Sequence, residues 1–214
     1  ITALLVSGQL DAAWICGFPF VMHRAELQLV AVPLWRGRPL YQAYLIVDRE
    51  RPCGSLTDLR GDIHAFSDPD SNSGFLVTRA LLAEKGLRPT PFFSRTFYTY
   101  GHRNVVRAVA AGLAGSGSVD GYVHEVLCEI EPGLASKVRI LRHSEWLGFP
   151  PIAAPRIPVN ARALAALTEA LSHMNGDEEG RAVLEMLRLD GFVPQDPALY
   201  EPIAAKAALV SGAG

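Results

Sequence analysis

The stretch Phe66-Ser67-Asp68-Pro69-Asp70-Ser71-Asn72-Ser73-Gly74 sets two serines and an asparagine at the start of an apolar, helix-periodic run. The hydroxyls of Ser71 and Ser73 and the amides of a first helical turn converge on one space, which is the chemistry of an oxyanion site. Ser71 also fits an N-cap, and capping accounts for one serine without accounting for the cluster. A second helix start follows at Tyr100-Gly101-His102-Arg103-Asn104, ahead of Val105, Val106 and Val109. There the imidazole of His102 and neighbouring amides can meet a ligand oxygen, although a lone histidine is more often structural. Asp120 ends a short strand; the strand-end rule for α/β sheets turns it toward the same crevice, and capping the next helix is its other reading.

Ser71, His102 and Asp120 are also the residue types of a hydrolase triad, which makes a serine hydrolase the rival reading. The candidate nucleophiles lie in Ser-Asn-Ser-Gly and not in a Gly-x-Ser-x-Gly elbow, so no catalytic residue is assigned. His23, His64, His102, His124, His143 and His173 include no pair at the close spacing of helical zinc ligands, so neither a metal nor a cofactor is expected. Between Ser71 and Arg107 six basic residues (Arg79, Lys85, Arg88, Arg95, Arg103, Arg107) face one acid, Glu84, a bias suited to steering an anion. The whole chain carries a formal charge of −2. Nothing in it suggests a polyanionic partner such as nucleic acid, whose binding needs a concentrated basic face, and a small ligand or a protein partner is the expectation. Cys16, Cys53 and Cys128 are odd in number and lack CxxC spacing, so buried thiols are expected rather than a disulfide framework.

These residues need elements to hold them. The chain has 214 residues, 49% apolar and 20% charged, enough to bury the core of one large domain or two small α/β lobes. No apolar run nears the roughly 18 residues of a membrane helix. A helix over 1–7 and a strand over 10–15 open the chain so abruptly that a strand and helix are expected before Ile1. Strands are predicted over 28–33 and 41–47, adjacent in one sheet, with a lobe boundary in 48–54. Strands over 63–67, 91–97 and 116–119 then alternate with helices over 71–85, 104–113 and 122–129, which predicts parallel pairing. Gly8-Gln9-Leu10-Asp11 echoes Gly117-Ser118-Val119-Asp120 as a weak internal repeat. After a strand over 138–141, the proline-rich segment 148–158 reads as an extended hinge. Helices follow over 161–173, capped by Asn160 with Leu164, Leu167 and Leu171 on one face, and over 177–187.

Taken in order, Asp68-Pro69-Asp70-Ser71-Asn72-Ser73-Gly74, Gly101-His102-Arg103-Asn104, Gly117-Ser118-Val119-Asp120-Gly121-Tyr122-Val123, and Gly180-Arg181-Ala182-Val183-Leu184 with Gly191-Phe192-Val193-Pro194 cover nearly the whole chain. Together with the opening Ser7-Gly8-Gln9-Leu10-Asp11-Ala12-Ala13-Trp14, they resemble the phosphate/phosphite/phosphonate-binding proteins of ABC importers. The resemblance implies a two-lobed type II periplasmic-binding-protein fold, each lobe a mostly parallel sheet flanked by helices, closing on its ligand. Lobe 1 is expected from 1–46 with 143–214, and lobe 2 from 47–142. It implies capture of a small phosphorus oxyanion through Ser71, Asn72, Ser73, His102, Asp120 and Phe20, and no enzymatic activity. The expected partner is a membrane permease, the location periplasmic or extracellular with a membrane anchor as an option, and the protein itself a monomer. A ligand-sensing domain of the same fold attached to a signalling protein is the second reading. Two departures bear on ligand identity: the centre of the serine motif, often threonine, is Asn72, and an aromatic position often held by tyrosine is Phe20.

Overall fold

The computed structural model describes residues 1–212. In chain order the elements begin with α1 (Thr2–Val6), β1 (Ala13–Trp14), α2 (Gly17–Met22), β2 (Leu27–Leu34), β3 (Leu40–Tyr41) and β4 (Ala43–Asp48). Next come β5 (Ile63–Phe66), a π-helical turn over Asn72–Leu76 running into α3 (Val77–Ala83), the kinked turn α4 (Pro89–Phe92), β6 (Arg95–Tyr98), α5 (His102–Ala110) and β7 (Ser116–Asp120). The chain continues with α6 (Gly121–Ile130), α7 (Pro132–Ala135), β8 (Val138–His143), β9 (Leu147–Gly148) and β10 (Ile152–Pro155). It ends with α8 (Ala161–Ser172), α9 (Glu178–Leu187), β11 (Gly191–Val193) and α10 (Glu201–Gly212).

Two compact units result: Ile1–Tyr41 with Leu147–Ala204, and Gln42–Trp146 with the described residues from Ala205 to Gly212. The divisions fall at 41/42 and 146/147 rather than at 46/47 and 142/143, and α10 is shared instead of belonging wholly to the first unit. The reason is β4. It pairs with β7 and β8, so it belongs to the second unit and is not a sheet neighbour of β2.

In the first unit the sheet order is β1-β10-β2-β11, and every one of these pairings is antiparallel. The mostly parallel sheet expected from the sequence does not hold here. Parallel pairing follows when consecutive strands are joined by a helical crossover. Here β2 is flanked by β10 and β11, which return from much later in the chain. The segment expected to be a hinge supplies β10, whose residues Ile152–Pro155 are buried in the middle of this sheet. Asn160 caps α8 by accepting from the Ala163 amide at 3.0 Å, as expected, but no α8 residue is fully buried. Gly8, at φ +72°, turns the chain out of α1, whereas Gly117 lies inside β7, so the two glycine motifs are not structural equivalents.

The second unit has the order β6-β5-β7-β4-β8. Its β5–β6 and β5–β7 pairs are parallel, as the alternating strand-helix pattern predicts, and β4 lies antiparallel to both its neighbours. All of Ala43–Val47 is buried because both faces of β4 are covered. On one face Tyr44 and Ile46 pack with Val105, Val106 and Val109 of α5 and with Leu127 of α6. On the other, Leu45 and Val47 pack with Leu56, Leu59, Leu82, Phe92 and Phe93. The period-2 alternation of one strand thus divides the core between two layers. No disulfide forms among the described residues, and Cys128 is exposed rather than buried.

Candidate functional site

At the end of β5 the chain turns through Ser67-Asp68-Pro69-Asp70. Asp68 shapes this turn: its carboxylate accepts from the Asp70 amide at 2.8 Å and its carbonyl from the Ser71 amide at 3.0 Å. Ser71 then caps the π-helical turn, its Oγ accepting from the Gly74 amide at 2.9 Å. A hydroxyl that accepts in this way keeps its own hydrogen to donate, so capping and anion binding are compatible at Ser71. The Leu76 amide reaches back to the Ser71 carbonyl at 3.0 Å, which widens the turn to π geometry before α3 begins. Ser71, Asn72 and Ser73 are all buried, Asn72 completely.

Gly74 is required by packing. A Cβ there would lie 1.7 Å from Ser67 Oγ and 2.9 Å from Ser71 Oγ. The Gly74 carbonyl in turn accepts from the Ser67 amide at 3.1 Å, drawing the turn back onto the end of β5. Ser67 is 2% exposed and its Oγ has no hydrogen-bond partner. Ser67 carries no signal in the sequence, since nothing in its spacing distinguishes it from a residue of the preceding strand.

The second helix start is tied to the first. The Thr99 amide donates to the Phe66 carbonyl at 2.9 Å, and its hydroxyl contacts the carbonyls of Phe66 and Gly101 at 3.3 and 3.0 Å. Tyr100 takes φ +53° to turn the chain into α5, of which His102 is the first residue. Asp120 joins the two. Its Oδ2 accepts from the Ser73 hydroxyl at 3.4 Å, its Oδ1 caps α6 through the Val123 amide at 3.2 Å, and its own amide donates to His102 Nδ1 at 3.1 Å. Asp120 is thus the cap of α6 that one reading expects, and at the same time the joint between the two helix starts.

Electrostatics follow from burial. Removal from water pushes the Asp120 carboxyl up to about 7, against the opposing pull of its hydrogen bonds from Val123, Tyr122 and Ser73. The same cause lowers His102 to about 4, partly offset by the charge of Asp68. Near neutral pH the site therefore holds a neutral imidazole and a carboxyl close to half protonation.

The structure brings Ser71, Asn72, Ser73, His102 and Asp120 together in the second unit. Ser73 and His102 meet through Asp120. Phe20 lies in the first unit, 4% exposed, its ring edge-on to Tyr200 at 4.9 Å between centroids. The triad reading fails on geometry. Nδ1 of His102 accepts a backbone N–H and so cannot donate to the Asp120 carboxylate as a triad histidine must. Of the local cations, Arg103 is held by Glu131 through two hydrogen bonds of 2.5 and 2.7 Å, and Arg79 lies over the Phe75 ring at 5.2 Å. No group of three metal-ligating side chains occurs among the described residues.

A family model described as the ABC transporter phosphonate periplasmic substrate-binding protein matches residues 1–200. The chain belongs to this family. Solved structures agree on the fold. The binding protein component of an ABC phosphonate transporter from Pseudomonas aeruginosa superposes with a TM-score of 0.89 at 21% identity, over 100% of this chain and 72% of that one. PhnD1 from Prochlorococcus marinus, solved in complex with methylphosphonate, gives 0.86 at 15% identity over 98% and 82%. A Xanthomonas citri protein bound to chloride ion gives 0.78 at 18% identity over 99% and 81%. The fold is that of the type II periplasmic binding proteins, and the family is one of solute-binding proteins rather than enzymes. Membership implies a periplasmic location, a small-molecule ligand and a membrane permease as partner. No described helix is long and apolar enough to cross a membrane.

Proposed function

We propose that this protein delivers a small phosphorus oxyanion, such as phosphate, phosphite or a phosphonate, to an ABC importer, and that the start of the Asn72–Leu76 turn grips the oxyanion. The observation that carries the reading is the hub at Asp120, which ties a serine of one helix start to the histidine of another. Ser71 supplies a hydroxyl with a free hydrogen, Ser73 a hydroxyl that turns from the long 3.4 Å bond to Asp120 onto the ligand, the first amides of the helical run supply N–H groups and the positive end of the helix dipole, and His102 supplies Nε2–H. Such donors are aimed at an acceptor-rich anion, and His102, whose Nδ1 accepts the Asp120 amide and whose Nε2 carries the proton, offers neither serine an imidazole base that would activate it as a nucleophile.

Titration calorimetry of the purified protein against inorganic phosphate, phosphite and methylphosphonate, with sulfate for comparison, tests the proposal. Hydrogen bonds to charged groups contribute about 1.5–3 kcal/mol each, so Ser73→Ala should weaken binding of the preferred ligand by roughly 10-fold to 150-fold. Absence of binding to all three phosphorus oxyanions, or an unaltered affinity in Ser73→Ala, would overturn it.

A further inference from the structure

His64 is fully buried in β5, and the side chains it bonds are those of Ser116 and Ser118. Its Nδ1 is 2.9 Å from Ser116 Oγ and its Nε2 is 2.9 Å from Ser118 Oγ, and Ser118 Oγ in turn is 2.6 Å from Thr78 Oγ1. The ring stacks on Phe93 at 4.3 Å with an interplanar angle of 13° and meets Phe66 edge-on at 4.6 Å. Full burial drives its pKa down to about 3, so at neutral pH it is an uncharged ring with one donor and one acceptor nitrogen. A single ring thus bridges two hydroxyls of one strand, with its rotation fixed at both nitrogens and on its stacked face.

The strand involved leads to Asp120. Side chains at positions i, i+2 and i+4 of a strand share a face, so Ser116, Ser118 and Asp120 form one row on β7. Gly117 faces the other way, where a Cβ would lie 2.5 Å from Val105 of α5. The helical run of the proposed oxyanion grip crosses this row and is fastened to it twice. Ser73 bonds Asp120 at the open end, and Thr78, five residues on in α3, bonds Ser118 one row position below. One fastening would leave the helix start free to swivel about it; two fix its orientation. The lower fastening is itself held by His64.

We infer that His64 is a positioning residue for the oxyanion site, holding Ser118 against Thr78 so that the Asn72–Leu76 turn is aimed and Ser73 stays on Asp120. The inference rests on the reading of that turn as an oxyanion grip. The link is a continuous chain of hydrogen bonds from β5 through β7 to α3; β7 ends in Asp120, and β5 and α3 flank the segment that carries Ser71, Asn72 and Ser73. Buried polar networks of this kind specify one arrangement when every member is satisfied.

Thr78→Val cuts the chain at its helix end with little change of volume and leaves Ser118 bonded to His64; Thr78→Ser keeps the hydroxyl. His64→Leu removes the bridge itself. Val138→Ala, in the edge strand β8, serves as a core control whose effect is on stability alone. Affinity is measured by calorimetry with inorganic phosphate and methylphosphonate, at a temperature where each variant is folded by circular dichroism. The expected result is a loss of about tenfold in Thr78→Val and in His64→Leu, recovery in Thr78→Ser, and no loss in Val138→Ala. Wild-type affinity in Thr78→Val would overturn the inference. Should the wild-type protein bind neither probe, the oxyanion reading fails, and amide hydrogen exchange of the unliganded protein decides the positioning role by itself. Faster exchange across Asn72–Leu76 in Thr78→Val than in Val138→Ala supports it, and equal protection overturns it.

Discussion

The backbone amide of Asp120 donates to Nδ1 of His102 at 3.1 Å, and this one hydrogen bond decides which nitrogen of the ring carries the proton. An accepting Nδ1 leaves Nε2–H as the donor, the form a ligand oxygen can use. Protonating Nδ1 would set two hydrogens against each other, in addition to the burial that lowers the His102 pKa to about 4. We expect nitrogen-15 spectra of the imidazoles to show His102 as the Nε2–H tautomer from neutral pH down to near pH 4. A doubly protonated ring at pH 6 would contradict the bond.

Gly74 offers a test of how tightly the helix start is built. Gly74→Ala sets a methyl group 1.7 Å from Ser67 Oγ and 2.6 Å from its Cβ, so the turn must shift. Overpacking of this kind costs about 1–3 kcal/mol, read as a lower midpoint in urea. Adding Ser67→Gly removes both of those atoms and leaves only the 2.9 Å approach to Ser71 Oγ, so the double variant should recover most of the lost stability. Equal midpoints for the single and double variants would show that the clash is relieved elsewhere.

How far the sequence revealed this arrangement depends on whether the interactions are local. The serine cluster, the starts of α5 and α6 and the strands β5 and β7 were legible because capping, apolar periodicity and turn residues act within a few positions. The place of β4 was not. A strand buried on both faces reads the same in either sheet, and only its pairing with residues 116–120 and 138–143 assigns it. Nor could the antiparallel order of the first unit be read, since it arises from strands that return after more than a hundred residues. Ile152–Pro155 looked like a hinge because of the prolines around it, yet a short strand between prolines is compatible with a sheet. The Thr78–Ser118–His64 chain had no local signature, because its members are 14, 40 and 54 residues apart and meet only through the fold.

Asp120 should make ligand affinity depend on pH in a direction set by its raised pKa. Below about 7 the carboxyl is protonated and, at the proposed site, can donate to an oxyanion; above it, a buried negative charge would lie beside that anion. Affinity for methylphosphonate in the wild type should therefore fall as pH rises from 6 to 8, relative to Asp120→Asn, with a slope tending toward tenfold per unit. Comparing the two proteins removes the ligand's own titration, which both share. Parallel profiles would show that Asp120 does not titrate against the ligand.

Stability gives a readout of the same group without any ligand. His64 and His102 have folded pKa values of about 3 and about 4 against 6.5 in the unfolded chain. Between those values the unfolded chain binds more protons, so these two groups make the fold more stable as pH rises to 6.5 and less stable as it falls. Asp120 acts in the opposite sense. Its pKa of about 7 against 3.8 means that the folded state holds the proton the unfolded chain has released, and the stability so gained below pH 4 is lost as pH climbs through 7. Asp120→Asn removes only this second contribution, and asparagine still caps α6. The unfolding free energy of the variant relative to wild type should thus be flat below pH 4 and rise between pH 4 and 7, by an amount on the order of 3–4 kcal/mol. Urea denaturation of both proteins at intervals across that range measures the difference directly, and a difference independent of pH would mean that Asp120 is ionised in the folded protein throughout.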